Sequence, residues 1–348
     1  MISTPGPSSF AAGTGVDSSP PPATSGPGLS VVICTRNRPR SLQACVRSVA
    51  RQTVPPVEVI VVDDGELSGE DLRSLASVCK SARLAFVYLS KDVPGLPPSR
   101  NLAVRHARGR IVQFLDDDVT IEPDFCREIG QLYADDPAEA LIGTEGTLIE
   151  PSPRRLGARI FEWTYRIAGW WALHPRTCNR PPLPPALRHH GRAQPIWNTI
   201  GATMGFRRSA LLEQPFDEGL TGYALGEDRD LAYRLGRRGW LLRSRTARAE
   251  HRQDPAGRPD LYTFGRMAVG NYVRVMTRNG MTTLGDRLVI AYSLTIIALS
   301  LLLFSPVNPR RCLPQLLGMV GAGWQLGRAA VRRYAGLQTE PQVKANGS

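Results

Sequence analysis

The sequence lacks the signatures of several protein classes. Its six cysteines stand at least eleven positions apart, so no pair has the spacing of a zinc knuckle, and this usage fits a reducing compartment. No zinc finger, RNA-binding signature or basic zipper is present, and we expect no nucleic-acid partner despite a formal charge of +12. Residues 1–28 contain no apolar core of a secretory signal, and we predict a disordered tail there.

Acidic residues are scarce in one long stretch of the chain. Residues 151–192 hold eight Arg and one acid, Glu162. Such an excess favours anionic partners, among them nucleotides or an anionic membrane face, although a solvated basic surface explains it as well. The aromatic segment Phe161–Leu173 fits a helix packed on the core, an interfacial membrane helix or one wall of a binding site.

Strand-like apolar runs alternate with helical stretches as far as the acidic residues that begin at Asp116. This alternation predicts an α/β fold with a doubly wound, mostly parallel sheet and right-handed crossovers. The predicted strands are Leu29–Cys34, Val57–Val62, Leu84–Leu89 and Arg110–Leu115, with Ala140–Ile149 and Ile196–Phe206 also extended. The predicted helices are Ser41–Gln52, Asp71–Cys79, Ser99–Ala107 and Pro123–Tyr133.

Polar residues follow the predicted strands at their carboxyl ends, where open α/β sheets bind ligands. Asp116-Asp117-Asp118 follows the fourth strand, and adjacent carboxylates are tolerated most readily where a cation binds. An acidic turn is the plain alternative. Residues 34–39 after the first strand and Asp63-Asp64-Gly65 after the second suit a nucleotide, or they are ordinary loops.

Three further polar segments add to this pattern. In Gly95–Asn101, an Arg could hold a pyrophosphate, and a Ser could simply cap a helix. Gly226–Leu231 places acids in the first turn of a predicted helix, where the helix dipole alone would favour them. His251 follows the stretch Arg245–Glu250.

The order and spacing of these segments resemble the GT-A glycosyltransferases of family 2, the inverting nucleotide-sugar enzymes. The resemblance runs from Leu29 to about His251, and Gly201–Arg208 and Phe216–Glu218 resemble the lead-in to the catalytic acid. The five motifs that carry it are VVICTRNRP, VIVVDDG, PPSRNLAV, FLDDDV and GEDRDLAYRLGRRGW. It implies a GT-A domain over residues 29–255 that moves a sugar from a nucleoside diphosphate, first of all UDP, to a hydroxyl acceptor with inversion.

The resemblance also implies roles for single residues on the donor side. The residues implied to contact the nucleotide sugar are Thr35, Arg38, Asp63, Arg100, Asp116 and Asp117. Among them, Asp63 would receive the base, Asp116 would face the ribose, and Arg100 would lie near the pyrophosphate or base.

The metal and the proton acceptor are implied in the same way. Asp118 would ligate Mn²⁺ or Mg²⁺ in a DXD pattern with Asp116, and His251 would complete the metal shell. Asp228 would be the general base, and Glu227 would help to position it or the acceptor. A cation at this point neutralises a departing diphosphate, while a carboxylate takes the proton of the attacking hydroxyl.

Two other functions fit parts of the pattern. A nucleotidyltransferase would need a Gly-rich, Lys-bearing phosphate loop after the first strand, which Thr35–Arg38 does not provide. A non-catalytic nucleotide-sugar-binding membrane scaffold would be indicated by loss of the acids, yet both acidic clusters are intact.

The C-terminal region is rich in Leu and Ile. Leu288–Phe304 has 17 residues without a charge, the lower limit for a transmembrane helix, and a weaker apolar run spans Leu313–Leu326. We predict an amphipathic helical linker over 256–286, a membrane-associated helical hairpin over 287–333 and a disordered tail over 334–348. Two buried core helices, two membrane passes and one shallow re-entrant hairpin are the alternatives.

Arginines around these apolar runs bear on orientation. Arg287 and the arginines after the second run suit a cytoplasmic location for both ends, hence a cell-membrane protein with a cytoplasmic catalytic domain. Arg310 and Arg311, in the short loop, argue weakly against a full crossing. A basic enzyme at a membrane suggests a lipid-linked or cell-envelope glycan as acceptor.

Overall fold

The computed structural model describes residues 28–149, 180–189, 191–254, 256, 258–306 and 308–334. The predictions for the N-terminal tail, for the aromatic segment Phe161–Leu173 and for the residues after 334 lie outside the described residues.

A mixed sheet organises the chain before the C-terminal helices. Its strands are β1 (Leu29–Thr35), β2 (Glu58–Asp63), β3 (Ala85–Ser90), β4 (Ile111–Asp116), β5 (Val119–Ile121), β6 (Leu141–Ile149), β7 (Ala193–Ile196), β8 (Met204–Arg207) and β9 (Trp240–His251). They lie in the order β3-β2-β1-β4-β8-β6-β9-β5, and β7 pairs with β9. Strands β1 to β4 are parallel, which confirms the predicted mostly parallel α/β sheet.

Helices cover both faces of the sheet. They are α1 (Pro39–Ala50), α2 (Gly69–Ser81), α3 (Leu96–His106), α4 (Phe125–Ala134), α5 (Pro185–His189), α6 (Arg208–Glu213), α7 (Glu227–Gly236), α8 (Leu261–Arg278), α9 (Leu284–Phe304) and α10 (Pro309–Tyr334). On β1, Val31 and Ile33 face the cluster that contains α1, while Val32 faces the opposite cluster with α3. Strands buried on both faces explain why their sequences are continuous apolar runs.

The register of the strands sets the position of the site. Thr35 lies opposite Asp63 in the β1–β2 pair, and Cys34 lies opposite Asp116 in the β1–β4 pair. The polar residues after these strands therefore gather at one edge of the sheet. Strand β9 adds His251 to the same edge by pairing it with Val119.

The segment predicted as one extended stretch, Ile196–Phe206, is interrupted. Strand β7 ends at Ile196, a 3₁₀ turn spans Gly201–Thr203, and β8 begins at Met204. The turn is held by long-range contacts, since the amide nitrogens of Ile200 and Gly201 donate to carboxylates on β6 and α7. Local sequence pattern could not reveal those acceptors.

Helix α8 is fastened to the sheet domain by polar side chains. Asn271 Nδ2 donates to the carbonyl of Leu225 at 3.0 Å, and Arg274 Nε donates to Asp217 at 2.7 Å. Asn279 Nδ2 donates to an Asp on α7 at 2.8 Å. These contacts fix α8 beside the start of α7.

Helix α9 is the apolar element of the C-terminal region. Among the described residues, Leu284–Phe304 is the one helix that is long and apolar enough to cross a membrane, by length and composition. Only 28% of its apolar 18-residue stretch is buried in the protein. Its exposed side chains include Leu284, Leu288, Leu299, Leu302 and Leu303. The predicted apolar helix is therefore present in a helical C-terminal region.

Helices α8 and α10 pack with their backbones in contact at two glycines. A Cβ on Gly265 would overlap the carbonyl oxygen of Gln315, and a Cβ on Gly318 would overlap that of Tyr262. We expect Gly265→Ala to destabilise the protein by about 1–3 kcal/mol, because the helices must separate to admit the methyl group. Urea unfolding in detergent measures this effect.

Gly270 on the same helix is the matched control. A Cβ there meets nothing within 4 Å, so Gly270→Ala should stabilise the helix by roughly 0.5–1 kcal/mol. Equal stability of the two alanine variants would show that α8 and α10 do not depend on this close approach.

Candidate active site

Three potential metal ligands meet at the edge of the sheet. Asp116 ends β4, Asp118 follows it, and His251 ends β9. Their ligand atoms lie within 4.8 Å of one another, and His251 Nε2 is 3.1 Å from Asp118 Oδ1. Two carboxylates and an imidazole suit Mn²⁺, and hard oxygen ligands also suit Mg²⁺. We call these residues the cation cluster, and their donor set fits a divalent metal.

Neighbouring charges tune this cation cluster. Burial raises the pKa of Asp116, with the charge of Arg100 opposing it. Burial also acts to raise the pKa of Asp118, but the hydrogen bond and charge of His251 hold it below the ordinary value. The same hydrogen bond raises the pKa of His251. Asp118 and His251 thus each favour the charged form of the other.

Asp117 serves a different part of the site from its two neighbours. Thr35 Oγ1 donates to its Oδ2 at 2.7 Å, and Arg38 donates to its Oδ1 at 2.9 Å. Burial raises the pKa of Asp117 to about 6, against the effect of Arg38. Asp116 and Asp118 therefore belong to the cation cluster, while Asp117 binds the turn after β1.

Asp63 is the last residue of β2 and lies in the protein interior. It is fully buried, and its carboxylate accepts hydrogen bonds from the amides of Gly65 and Leu67 and from the Tyr88 hydroxyl, at 2.8, 2.9 and 3.0 Å. In this arrangement Asp63 fastens the loop after β2. Its contact with a base stays a prediction.

Arg100 connects the two acidic clusters of the sequence. Its guanidinium is 2% exposed, pairs with Glu227 on α7, and donates to Asp116 at 3.3 Å and to the Gly201 carbonyl at 3.2 Å. Burial acts to lower the pKa of Arg100, but the charges of Glu227 and Asp116 raise it above its ordinary range. Arg100 therefore stays charged and holds α7 against the end of β4.

The adjacent acids at the start of α7 occupy different environments. Glu227 is buried, one of its oxygens binds Arg100 and the other has no hydrogen-bond partner in the described part of the chain. Burial raises the pKa of Glu227 to about 8. Asp228 is half-buried and accepts from the amides of Gly201 at 3.1 Å and Arg229 at 2.8 Å. Asp228 is thus the acid that an incoming molecule can reach.

A cavity borders Asp228. Its volume is about 130 Å³. The start of α7 lines it with Leu225, Gly226, Asp228 and Arg229, and α8 lines it with Ala268, Asn271, Tyr272 and Val275.

The structure adds Glu145 to the predicted residues. This β6 side chain is buried and accepts from the Ile200 amide at 2.8 Å and from Arg243 Nε at 2.6 Å. Burial raises the pKa of Glu145 to about 7. Glu145 thus holds the turn in which the following amide, that of Gly201, donates to Asp228. A single acid within the apolar run of β6 was the available signal.

Two further residues near the cation cluster were not predicted. Burial raises the pKa of Tyr223, to which the charges of Asp116 and Asp118 contribute while Arg258 opposes them. Arg258 Nε donates to the carbonyl of Asp254, whose amide donates to Asp118 at 2.9 Å. The segment after β9 is therefore anchored on the cation cluster.

Comparison with known proteins agrees with this geometry. Residues 30–213 match the model of Glycosyl transferase family 2. The glucosyl-dolichyl phosphate glucuronosyltransferase of Haloferax volcanii is 26% identical over 188 residues, which cover 53% of this chain and 54% of that protein. Glycosyltransferase GlyA of Streptococcus pneumoniae is 26% identical over 117 residues, 33% of this chain and 16% of that protein. The chain thus spans about half or less of the curated relatives that it matches.

Solved structures share the fold. A mannosyltransferase from Pyrobaculum calidifontis, solved with GDP-Man and Mn²⁺, gives a TM-score of 0.54 at 14% identity over 89% of this chain and 90% of that one. GalNAc-T7, solved with UDP, GalNAc and Mn²⁺, gives 0.52 at 20% identity over 73% and 48%. With more than half of its residues inside the family model and a sheet of this architecture, the chain belongs to glycosyl transferase family 2 and has the GT-A fold.

Proposed function

We propose that this chain is a metal-dependent, inverting glycosyltransferase, and that it moves a sugar from a nucleoside diphosphate, UDP in the first instance, to a hydroxyl acceptor. One observation carries the proposal. Arg100 and the Gly201 peptide join the cation cluster to Asp228, because the Gly201 carbonyl accepts from Arg100 and its amide donates to Asp228. The cation cluster and an accessible carboxylate therefore border one connected site.

On the donor side, Thr35, Arg38 and the cation cluster would hold the nucleotide sugar. A divalent cation bound by Asp116, Asp118 and His251 would supply positive charge toward the departing diphosphate. Arg38 lies 3.6 Å from Asp118 and adds positive charge at the same edge. Mn²⁺ in the two structural neighbours supports this assignment, and their different nucleotides leave UDP as our proposal.

On the acceptor side, Asp228 would act as the general base. Its carboxylate takes the proton of the acceptor hydroxyl while that oxygen bonds to the anomeric carbon. The bond from this carbon to the diphosphate oxygen breaks, and its electron pair leaves with the diphosphate. A single displacement of this kind inverts the anomeric configuration. The amides of Gly201 and Arg229 fix the carboxylate for this role.

We further propose that the enzyme works at the cytoplasmic face of the cell membrane on a lipid-linked or cell-envelope glycan. The exposed leucines of α9 support this, and so does a relative whose name specifies a dolichyl-phosphate-linked glucose. The full-length protein should sediment with the membrane fraction and need detergent for release. Complete recovery in the soluble fraction without detergent would exclude membrane attachment.

The donor assignment is tested by removing the metal or one of its ligands. We expect binding of UDP-, GDP- or dTDP-sugars to require Mn²⁺ and to be abolished by EDTA, and Asp118→Asn to weaken the Mn²⁺-dependent binding at least about tenfold, since an amide is a poorer ligand for a hard cation. Titration calorimetry with and without Mn²⁺ measures both effects.

Asp92→Asn is the control, because Asp92 is an exposed acid in the loop after β3. Unchanged donor binding in EDTA would contradict metal dependence. Tight Mn²⁺-dependent binding without any turnover would favour a scaffold, and nucleotide transfer in place of sugar transfer would favour a nucleotidyltransferase.

A further inference from the structure

We infer that the cavity between α7 and α8 receives the hydroxyl-bearing ring of the acceptor, and that this ring is a sugar carried on a lipid. The inference rests on the proposed function and adds to it where the acceptor binds and what chemical class it belongs to. One wall of the cavity is helix α8, which lies outside the residues that match the family model.

The size and lining of the cavity fit one ring. Its 130 Å³ is close to the roughly 150 Å³ cavity that holds a benzene molecule in another protein. Its walls combine apolar side chains, including Leu225 and Val275, with the polar groups of Asp228 and Asn271. A sugar ring offers apolar C–H faces and hydroxyl edges, and mixed walls of this kind orient such a ligand.

The cavity is held open by contacts that do not involve a ligand. Asn271 Nδ2 donates to the Leu225 carbonyl, and Arg274 and Arg278 both pair with Asp217, at 2.7 and 2.5 Å. These bonds fix α8 at a set distance from α7. A preformed site avoids the entropy cost of ordering two elements when the acceptor binds.

An adjoining face of α8 packs against the apolar helices. Val269 packs with Ile297 and Leu301 of α9 and with Met319 of α10. Ala268, next in sequence, lines the cavity. The cavity wall also includes Val275, which shares a hydrophobic cluster with Ile290 of α9. The cavity therefore lies beside the segment that we propose to enter the membrane, and a lipid-carried ring could reach Asp228 while its chain stays among lipids.

Filling the cavity tests this inference. We measure Mn²⁺-dependent transfer to n-octyl glycosides of glucose, galactose, mannose and N-acetylglucosamine, and to the matching methyl glycosides, with the full-length enzyme in detergent. The wild type should use at least one octyl glycoside with a KM at least tenfold below that of its methyl counterpart. Ala268→Leu should raise that KM tenfold or more, and Ala268→Val should have an intermediate effect.

Donor hydrolysis by water and donor binding separate this test from the proposed function. Both should change less than twofold in Ala268→Leu, whereas donor hydrolysis should already be absent in the wild type if the proposed function itself is wrong. Ala291→Leu makes the same change at an exposed position on α9 and should leave the acceptor KM unchanged. If Ala268→Leu does not fold, the Ala268→Val variant decides.

Three results would overturn the inference while leaving donor chemistry intact. They are an unchanged acceptor KM in both Ala268 variants, equal use of methyl and octyl glycosides, and no transfer to any glycoside by an enzyme that hydrolyses its donor.

Discussion

Asp228→Asn should lower the rate of sugar transfer by about 10²–10⁴-fold while leaving donor affinity within twofold of wild type. The amide has the size of the carboxylate, and its single oxygen can still accept from the Gly201 amide, so the turn should persist with the Arg229 hydrogen bond lost. It cannot take a proton from the acceptor hydroxyl. Steady-state kinetics and calorimetry with Mn²⁺ and the nucleoside diphosphate measure the two effects separately.

Asp118→Asn is the comparison variant, because it should affect donor binding where Asp228→Asn should not. In that variant donor binding should fall, because Asp118 belongs to the cation cluster, which lies across Arg100 from Asp228. Equal losses of donor affinity in the two variants would contradict the division between metal site and base. In the wild type, the product should carry the inverted anomeric configuration in its proton NMR coupling, and retention would rule out a single displacement.

The donor edge of the site could be predicted because its signals are local. Each parallel strand is an apolar run that ends in polar residues, and parallel strands present those ends at one edge. The pairing of Thr35 with Asp63 and of Cys34 with Asp116 follows from this rule. The sequence pattern left open which acids of the triplet act together, since that depends on side-chain direction.

The links across the site could not be predicted because they join distant parts of the chain. Arg100 and Glu227 are 127 positions apart, and Glu145 reaches the Ile200 amide 55 positions away. Helical or strand periodicity gives the buried face of an element but not its partner. The family resemblance implies that Arg100 lies near the pyrophosphate or base, a role that stays a prediction, while the structure shows the ion pairs that hold it.

Helix α8 illustrates the same limit. Its sequence predicts an amphipathic linker, and periodicity alone does not distinguish a solvated polar face from one that binds a neighbouring domain. In the structure, Asn271 and Arg274 on that face bond to the loops before α7. Those bonds create the cavity beside Asp228, which no local pattern indicated.

Arg100→Met should destabilise the protein by about 3–5 kcal/mol, the cost of removing one partner from a buried ion pair. Methionine fills much of the same space between the rings of Phe114 and Phe216, whose centroids lie 5.5 Å from the guanidinium. The loss of stability should therefore come from the missing charge and not from a cavity. Urea unfolding of the full-length protein in detergent, followed by tryptophan fluorescence, measures it.

The loss should depend on pH in a defined direction. Burial holds the pKa of Glu227 at about 8 in the folded protein, above its ordinary 4.5, so between these values the folded state binds more protons than the unfolded state. Stability from this group therefore falls as pH rises through that window. Without Arg100 the pKa of Glu227 should rise further, and Arg100→Met should cost more at pH 8 than at pH 6.

Glu227→Gln in the same background isolates the charge. The double variant should recover part of the lost stability and lose the part of the added pH dependence that comes from Glu227, while Asp116 still faces the missing guanidinium. Arg110→Met is the matched control, since Arg110 and Glu139 form an exposed pair at 2.8 Å whose removal should cost less than about 1 kcal/mol. If Arg100→Met costs no more than this control, the buried pairs do not hold α7 against β4, and Arg100 cannot be what positions Asp116 and Glu227 on the two sides of the site.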